Sequence, residues 1–172
     1  IVMEEKVTIT LVKDDAQLQE VAKLAEQIWH QHFTPIIGEK QVNYMVEKFQ
    51  SYPALKSQIA DGYEYYAVCL DGKLVGYTGV HAEDGALFLS KLYLEKSARG
   101  KGICSQMLAF LEDLCRKQGL SKIWLTCNKY NENSLKVYRH WNFQTTDSVE
   151  TDIGGGFIMD DYIMERSVAP QA

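Results

Sequence analysis

The sequence has little of what marks several specialised classes of protein. It has only 3 prolines in 172 residues and a formal net charge of only -5, so its composition is not that of a disordered chain. The same net charge does not indicate a surface that binds nucleic acid. No apolar run reaches the roughly 18 residues that a membrane-spanning helix needs. The first residues, Ile1 to Glu5, lack the basic start and apolar centre of a signal peptide. We therefore expect a cytoplasmic protein with neither nucleic acid nor membrane as a partner.

Cysteine and histidine are also too sparse to build a covalent or metal-bound framework. The four cysteines form no Cys-x-x-Cys pair and are too widely spaced for a disulfide framework: Cys69, Cys104, Cys115 and Cys127. Among the histidines, His30 and His32 would project from nearly opposite faces of one helix, and the other two are isolated. We expect reduced thiols and no metal site.

The N-terminal third carries enough apolar residues, with regular spacing, to form a strand and three helices. Hydrophobic residues make up 46% of the chain, which is sufficient for the core of one domain. Alternation from Lys6 to Lys13 predicts a strand, and helical spacing from Asp15 predicts a helix to about His32, which Thr34-Pro35 should break. Further helices are expected after Gly38 and after Pro53.

Three apolar or alternating runs in the middle of the chain predict an antiparallel meander. They span Glu64 to Leu70, Leu74 to His81 and Ala86 to Leu94. Asp71-Gly72 and Asp84-Gly85 separate them, and both central positions of a type I′ turn need the positive φ that Asp and Gly tolerate.

The last part of the chain alternates helices and strands. We expect a helix from Gly102 to Lys117, a strand from Lys122 to Cys127, a helix from about Glu132 to Trp141, and two strands separated by Gly154-Gly155-Gly156. The fold class is therefore α/β (α+β), with a mixed, mostly antiparallel central sheet of about seven strands flanked by about four to five helices. With no repeat or linker, residues 1–172 should form a single domain.

The loop before the helix that begins near Gly102 has the composition of an anion site. Arg99 and Lys101 bring two positive charges to the positive end of the helix dipole. This arrangement is unfavourable in the empty protein and becomes favourable when an anion binds there. Gly100 and Gly102 let the backbone approach a ligand, and the N–H groups of the first helical turn can bind phosphate. A Rossmann fingerprint is excluded because its third glycine would fall at Ser105, and no P-loop Gly-Lys-Ser/Thr follows. A surface loop with solvated charges is the alternative.

Two blocks of sequence resemble the GNAT superfamily of N-acetyltransferases. Arg99-Gly100-Lys101-Gly102-Ile103-Cys104 is similar to its pyrophosphate loop, Arg/Gln-x-x-Gly-x-Gly/Ala, and the segment from Asn131 to Phe143 is similar to Asn-x-x-Ala-x-x-x-Tyr-x-x-x-Gly-Phe. Ser134 and Asn142 depart from the second pattern, although Asn142 tolerates the left-handed backbone that a helix-ending glycine supplies. The resemblance reaches from about Tyr63 to Arg166 and implies the GNAT fold.

Cys104 departs from the first pattern, since it occupies a position where the family has Gly or Ala. A thiol at a helix N-terminus is expected to gain thiolate character, so a redox role is the alternative to a small residue that simply fits.

The resemblance implies that the chain binds acetyl-CoA as cosubstrate. The backbone of Leu92 to Leu94 would pair with pantetheine, and one of its N–H groups would polarise the acetyl carbonyl. The glycine loop would bind the pyrophosphate, and Asn131 would be both a coenzyme ligand and a helix N-cap. The residues implied to contact the coenzyme are Leu92, Tyr93, Leu94, Arg99, Gly100, Lys101, Gly102, Ile103, Cys104, Ser105, Asn131 and Tyr138.

The resemblance also assigns Tyr138 as the catalytic general acid. A phenol with a pKa of about 10 is protonated at pH 7 and can donate to a thiolate whose conjugate thiol has a pKa of about 8.5. A core tyrosine is the alternative. The general base stays open, because the strand on which such families often carry a Glu reads Phe88 to Lys91. His81, Glu83 and Asp84 are candidates, and each is equally explained as a turn residue or solvated charge; positioning alone is a further alternative.

By the same resemblance, the acceptor site would be built from the first two helices and the last two strands. Its candidate residues are Trp29, His30, Phe33, Tyr65, Asp160 and Asp161. The aromatic side chains are alternatively core, and the carboxylates alternatively solvated. Two carboxylates would attract a cationic amine, and in this respect the chain resembles the PaiA-like polyamine acetyltransferases. Amino acids, antibiotics and protein N-termini are the alternative acceptors.

We therefore expect an acetyl-CoA-dependent N-acetyltransferase that moves an acetyl group to a primary amine of a small molecule. A coenzyme A-binding sensor or interaction module without turnover is the alternative from another class. An acyltransferase with Cys127 as nucleophile and His140 as its partner is a third. Because the family often pairs, a homodimer is expected.

Overall fold

The structure is a computed structural model that describes residues 5–170. Seven strands and five α-helices are formed in this range. The strands are β1 (Val7–Leu11), β2 (Glu64–Leu70), β3 (Lys73–Glu83), β4 (Ala86–Leu94), β5 (Lys122–Asn128), β6 (Gln144–Gly154) and β7 (Phe157–Ser167). The helices are α1 (Asp15–Ile37), α2 (Glu39–Met45), α3 (Tyr52–Ala60), α4 (Ile103–Gln118) and α5 (Glu132–His140), with a π-helical turn at Val46–Gln50 and a 3₁₀ turn at Lys96–Ala98.

The strands form one mixed sheet in the order β1-β2-β3-β4-β5-β7-β6. The β4–β5 pair is parallel, whereas the β1–β2, β2–β3, β5–β7 and β6–β7 pairs are antiparallel. This confirms the predicted α/β class with a mostly antiparallel sheet. Helices and strands begin and end close to the predicted residues, with one exception in α1.

The described residues divide into two compact units. The first contains the chain up to His81 together with Lys91–Leu111, and the second contains Ala82–Ser90 together with the chain from Glu112 onward. In the first unit, one apolar cluster packs α1 and α3 on β2 and β3, and includes Leu18, Ile28, Leu55 and Tyr77. A second cluster packs the start of α4 on the sheet through Val68, Val75, Leu94, Ala98, Ile103 and Met107. Buried residues of the second unit include Ile123, Leu125, Leu135, Phe143 and Met164.

The predicted end of the first helix at Thr34-Pro35 is wrong. α1 continues through Pro35 to Ile37, and the Gly38 N–H donates to the Thr34 carbonyl at 3.0 Å. Proline removes one backbone hydrogen bond, and in the last turn of a helix that loss interrupts little of the ladder. Gly38, with a φ of 85°, is the residue that ends the helix.

Both predicted Asp-Gly turns are confirmed by their backbone angles. Asp71 and Gly72 have φ values of 51° and 83°, and Asp84 and Gly85 have φ values of 53° and 75°. Positive φ at both central residues is what a type I′ hairpin turn requires. No helix within residues 5–170 combines the length and apolar character needed to cross a bilayer.

Asn142 ends α5 in the left-handed conformation expected of it, with a φ of 64°. We predict that Asn142→Ala lowers the free energy of unfolding by about 1 kcal/mol, because a β-carbon without a local polar group is disfavoured there. Asn142→Gly is expected to be neutral or slightly stabilising. Urea unfolding of the three proteins measures this, and equal stability of the Asn and Ala proteins would contradict it.

Candidate active site

The glycine loop presents open backbone in front of α4. Gly100 and Gly102 have φ values of 78° and 75°, and a β-carbon built on either would meet no atom within 4 Å. Ala98 is buried and holds the loop on the core. The first helical bond runs from the Gln106 N–H to the Gly102 carbonyl at 3.3 Å, so the preceding N–H groups of the first turn have no carbonyl within the helix to bond. This arrangement fits a phosphate group.

The two cations of the loop are held by weak local contacts. The Arg99 Nε donates to the Leu94 carbonyl at 3.2 Å, which lays the side chain along its own loop. The Lys101 Nζ lies 3.3 Å from Glu5 Oε1, with both side chains largely exposed. An exposed pair of this kind contributes little to stability, so an anionic ligand can compete for Lys101.

The expected thiolate character of Cys104 is wrong. Burial raises the pKa of the Cys104 thiol, and the opposing effect of Arg99 is smaller. The side chain packs against the apolar cluster under α4. Cys104 is therefore a neutral packing residue, which removes the argument for a redox role.

The predicted pantetheine strand, Leu92 to Leu94, lies at the end of β4. The parallel ladder between β4 and β5 joins Ala86–Phe88 to Lys122–Trp124, and Leu92 to Leu94 lie beyond it. On the β3 side the backbone is held closely: the Glu95 N–H donates to the Val75 carbonyl at 2.7 Å, and a β-carbon on Gly76 would lie 2.6 Å from the Tyr93 carbonyl oxygen. The segment is therefore held in place on β3, beyond the residues of β4 that pair with β5.

Two of the predicted acceptor residues form an aromatic group around Tyr93. Trp29 stacks on Phe33 with ring centroids 4.2 Å apart, and the edge of Tyr93 meets Trp29 at 5.6 Å. Trp29 and Phe33 are buried, whereas Tyr93 and His30 are half-buried. Tyr65, the third aromatic candidate, is also buried and belongs to a different set of contacts, with Gln58 and Lys91.

The two predicted acidic residues of β7 have different surroundings. Asp160 Oδ1 lies 2.8 Å from the Lys129 Nζ. Asp161 is 4% exposed, and burial, followed by the charge of Asp160, raises its pKa to about 6. Successive residues of a strand point to opposite faces, so the two carboxylates do not converge on one ligand.

The second sequence block forms α5 with its N-cap and its end. The Asn131 side chain accepts from the Ser134 N–H at 3.5 Å, which confirms its predicted capping role. Tyr138 is half-buried, and its ring meets Trp141 and Phe143 edge-on with centroids 6.1 and 5.5 Å away. These two rings fix the Tyr138 side chain on the helix.

The remaining candidates have ordinary surroundings. The His81 ring lies 4.8 Å from the Tyr63 ring. Asp84 is a turn residue, and Glu83 is exposed. Burial raises the pKa of the Cys127 thiol to about 12, which opposes its use as a nucleophile. Within residues 5–170, no three His, Cys, Asp or Glu side chains are grouped to hold a metal ion.

Sequence reasoning missed Lys91. It is 4% exposed, and its Nζ lies 2.6 Å from the Tyr65 hydroxyl and 2.7 Å from Gln58 Oε1. The sequence contained one indication of its burial: Lys91 lies two residues after Leu89 and four after Leu87, and side chains at this spacing point to the same face of a strand, which here is buried.

The second unit contains a cavity of about 400 Å³ that the sequence analysis also missed. Its lining residues are Lys129, Glu132, Leu135, Lys136, Arg139 and Tyr162.

Comparison with known proteins agrees with this arrangement. The acetyltransferase (GNAT) family model matches residues 23–143. An uncharacterized N-acetyltransferase of Bacillus subtilis, YycN, is 34% identical over 80 residues, which cover 44% of this chain and 51% of that protein. The chain spans between 51% and 63% of the length of the curated relatives it matches.

Solved structures share the fold. The PaiA N-acetyltransferase from Thermoplasma acidophilum, in complex with coenzyme A, has a TM-score of 0.77 at 20% identity and covers 96% of this chain and 99% of its own. The ribosomal-protein alanine N-acetyltransferase from Escherichia coli has a TM-score of 0.69 at 14% identity, with 97% of each chain covered. The family model covers well over half of the sequence, and the matched range includes the glycine loop and α5. The chain therefore belongs to the acetyltransferase (GNAT) family.

Proposed function

We propose that this protein is an N-acetyltransferase that takes the acetyl group of acetyl-CoA and transfers it to a primary amine of a small molecule. The observation that carries the proposal is the open glycine loop: two residues of positive φ, with space where side chains would be, stand directly before the first turn of α4. Such a turn binds a diphosphate through backbone N–H groups. Open glycines of positive φ also occur in ordinary turns of this chain, such as Gly72, and what distinguishes this loop is its position before a helix N-terminus with two cationic side chains beside it.

Different segments of the chain would bind different parts of the coenzyme. The N–H groups of Ile103, Cys104 and Ser105 would hold the diphosphate, with Arg99 and Lys101 supplying charge. The backbone of Leu92 to Leu94 would pair with the pantetheine arm, and one of its N–H groups would polarise the thioester carbonyl. Asn131 is a further proposed ligand beside its capping role.

Tyr138 is the proposed general acid. Its phenol would hold a proton at the sulfur of the departing coenzyme, while the bound acetyl-CoA supplies the activated acyl group. The contacts of its ring with Trp141 and Phe143 support this role, because they limit the positions that the hydroxyl can adopt.

The acceptor is proposed to be a cationic amine, with polyamines first. The acidic pair on β7 supports this only in part, because Asp160 is paired with Lys129 and Asp161 is buried. The name of one solved neighbour gives a protein N-terminal alanine as its acceptor, so peptides belong in the test beside polyamines. We further propose that residues 1–172 act as one acetyltransferase domain, as a homodimer, in the cytoplasm.

The test is thiol release from acetyl-CoA with a panel of amines: polyamines, amino acids, and peptides with a free N-terminus. Calorimetry with coenzyme A on the same preparation measures binding independently. Turnover with at least one amine supports the proposal. Binding without turnover would favour a coenzyme A-binding sensor, for which the absence of a carboxylate from Phe88 to Lys91 is the motivating observation. Absence of binding would overturn both functions.

A further inference from the structure

Lys91 is a buried lysine whose polar partners are all neutral. Its Nζ lies 2.7 Å from Gln58 Oε1 on α3 and 2.6 Å from the Tyr65 hydroxyl on β2, and it stands 5.3 Å from the centroid of the Tyr65 ring. The Tyr65 hydroxyl also donates to Gln58. No carboxylate of the described chain forms an ion pair with Lys91. A charged amine buried in this way is costly, so its surroundings favour the neutral form.

The backbone of β3 is shaped to accommodate Tyr65. A β-carbon on Gly79 would lie 2.7 Å from Tyr65 Cε1 and 3.1 Å from the Tyr65 hydroxyl oxygen, so the ring occupies the space that a side chain would take. Because Gly79 makes this room, the Tyr65 phenol reaches across β3 to the amine of Lys91 on β4. A close backbone approach of this kind is a typical use of glycine in a strand.

The phenol that contacts the buried amine has further phenols near it, two of them half-buried. Tyr63 and Tyr93, both half-buried, act electrostatically on the phenol of Tyr65, and after burial itself they contribute to its raised pKa. Tyr77, on β3, is buried, and its ring centroid lies 5.5 Å from that of Tyr93. Gln58 and Tyr65 are the side chains whose polar atoms contact the Lys91 amine, and the other phenols interact with Tyr65.

Burial lowers the pKa of Lys91 from 10.5 to about 7. A large fraction of this amine is therefore unprotonated at neutral pH, where an exposed lysine is almost fully charged. An unprotonated amine can take up a proton.

We propose that Lys91 receives, through the hydroxyl of Tyr65, the proton that the acceptor ammonium must lose before it can attack. The inference rests on the proposed acetyltransferase function. The acceptor R–NH₃⁺ gives one proton to the Tyr65 oxygen while the Tyr65 hydroxyl proton moves to the Lys91 nitrogen in the same concerted transfer, so Tyr65 remains a phenol throughout. The net change is R–NH₃⁺ and Lys91–NH₂ becoming R–NH₂ and Lys91–NH₃⁺, with no electron transferred.

Lys91 would thus take the place of the carboxylate that β4 lacks. Lys91 acts through Tyr65 and does not touch the acceptor, so it is a positioning residue that determines where the proton is held. A purely structural lysine would affect stability and leave the pH dependence of the rate unchanged.

The test is the pH dependence of kcat/KM from pH 6 to 9. The wild-type protein should gain activity with rising pH, with an inflection near the pKa of about 7 of Lys91. Lys91→Met should lower kcat/KM at pH 8 by about 10²-fold, the lower end of the range for proton transfer by a positioned group, and should lose the inflection. Lys91→Arg introduces a guanidinium group that stays protonated across this pH range and cannot accept a proton, so it should not restore activity.

Two further variants keep the test independent of folding problems. Tyr65→Phe retains the ring against Gly79, removes only the hydroxyl, and should lose the same inflection. Lys73→Met is the matched control, because Lys73 is an exposed lysine on the neighbouring β3, and its profile should equal that of the wild type.

Unfolding in urea gives a readout that needs no turnover. The folded pKa of Lys91 is lowered, so between pH 7 and 10 this residue is protonated more in the unfolded chain than in the folded one, and its contribution to stability rises with pH. Buried thiols with a raised pKa, such as Cys127, contribute in the opposite direction, so the readout is the difference in stability between the wild type and Lys91→Met. That difference should rise with pH in favour of the wild type, and a difference that does not change with pH would overturn the inference. Turnover with an unchanged inflection in Lys91→Met would also overturn it, while leaving the proposed function intact. Absence of wild-type turnover would instead overturn the proposed function and, with it, this inference.

Discussion

Replacing Tyr138 by phenylalanine is expected to lower kcat by about 10²–10⁴-fold, the contribution typical of a positioned general acid. The affinity for coenzyme A should stay unchanged, because the substitution keeps the ring that meets Trp141 and Phe143 and removes only the hydroxyl. Thiol release under saturating acetyl-CoA measures kcat, and calorimetry measures binding.

Tyr130→Phe is the matched control for this experiment. Tyr130 precedes α5, is 67% exposed, and loses the same hydroxyl without any proposed role in the reaction. Its kcat should equal that of the wild type. If Tyr138→Phe weakened coenzyme binding while kcat stayed the same, the hydroxyl would be a binding group and the general-acid role would be wrong.

The fold was predictable because local signals and tertiary packing agree over most of the chain. The Asp-Gly turns fixed the limits of β2 to β4, since few dipeptides other than these tolerate positive φ at two successive positions. Asn142 was predictable for the same reason. Pro35 was not, because its effect depends on where in the helix it stands, and Gly38 three residues later decides where α1 ends.

The chemistry of single side chains was less predictable, because it depends on burial that sequence spacing does not determine. The position of Cys104 at a helix start favoured a thiolate, yet the packing of its side chain raises the pKa of the thiol. Lys91 went unnoticed because a lysine in a strand is usually exposed, and its contacts with Gln58 and Tyr65 are visible only in the folded structure. The glycine loop was predictable because backbone geometry is encoded by residue type.

Gly102→Ala is expected to weaken coenzyme A binding by about 10- to 100-fold, the loss of a hydrogen bond to a charged group. The added β-carbon would enter the space in front of the first turn of α4, where it meets no protein atom within 4 Å. It would therefore obstruct a bound diphosphate while touching little of the free protein. Calorimetry with coenzyme A measures the change.

Backbone strain must be separated from loss of the ligand site, since Gly102 has a φ of 75° and alanine is disfavoured there. Gly72→Ala provides this control: Gly72 has a φ of 83°, its β-carbon would also meet nothing within 4 Å, and it lies in the β2–β3 turn. Both variants should lose about 1 kcal/mol of stability, the usual cost of an alanine in this conformation. Only Gly102→Ala should lose affinity. If both bound coenzyme A as the wild type does, the backbone in front of α4 would not be the diphosphate site, and the proposed function would lose the observation on which it rests.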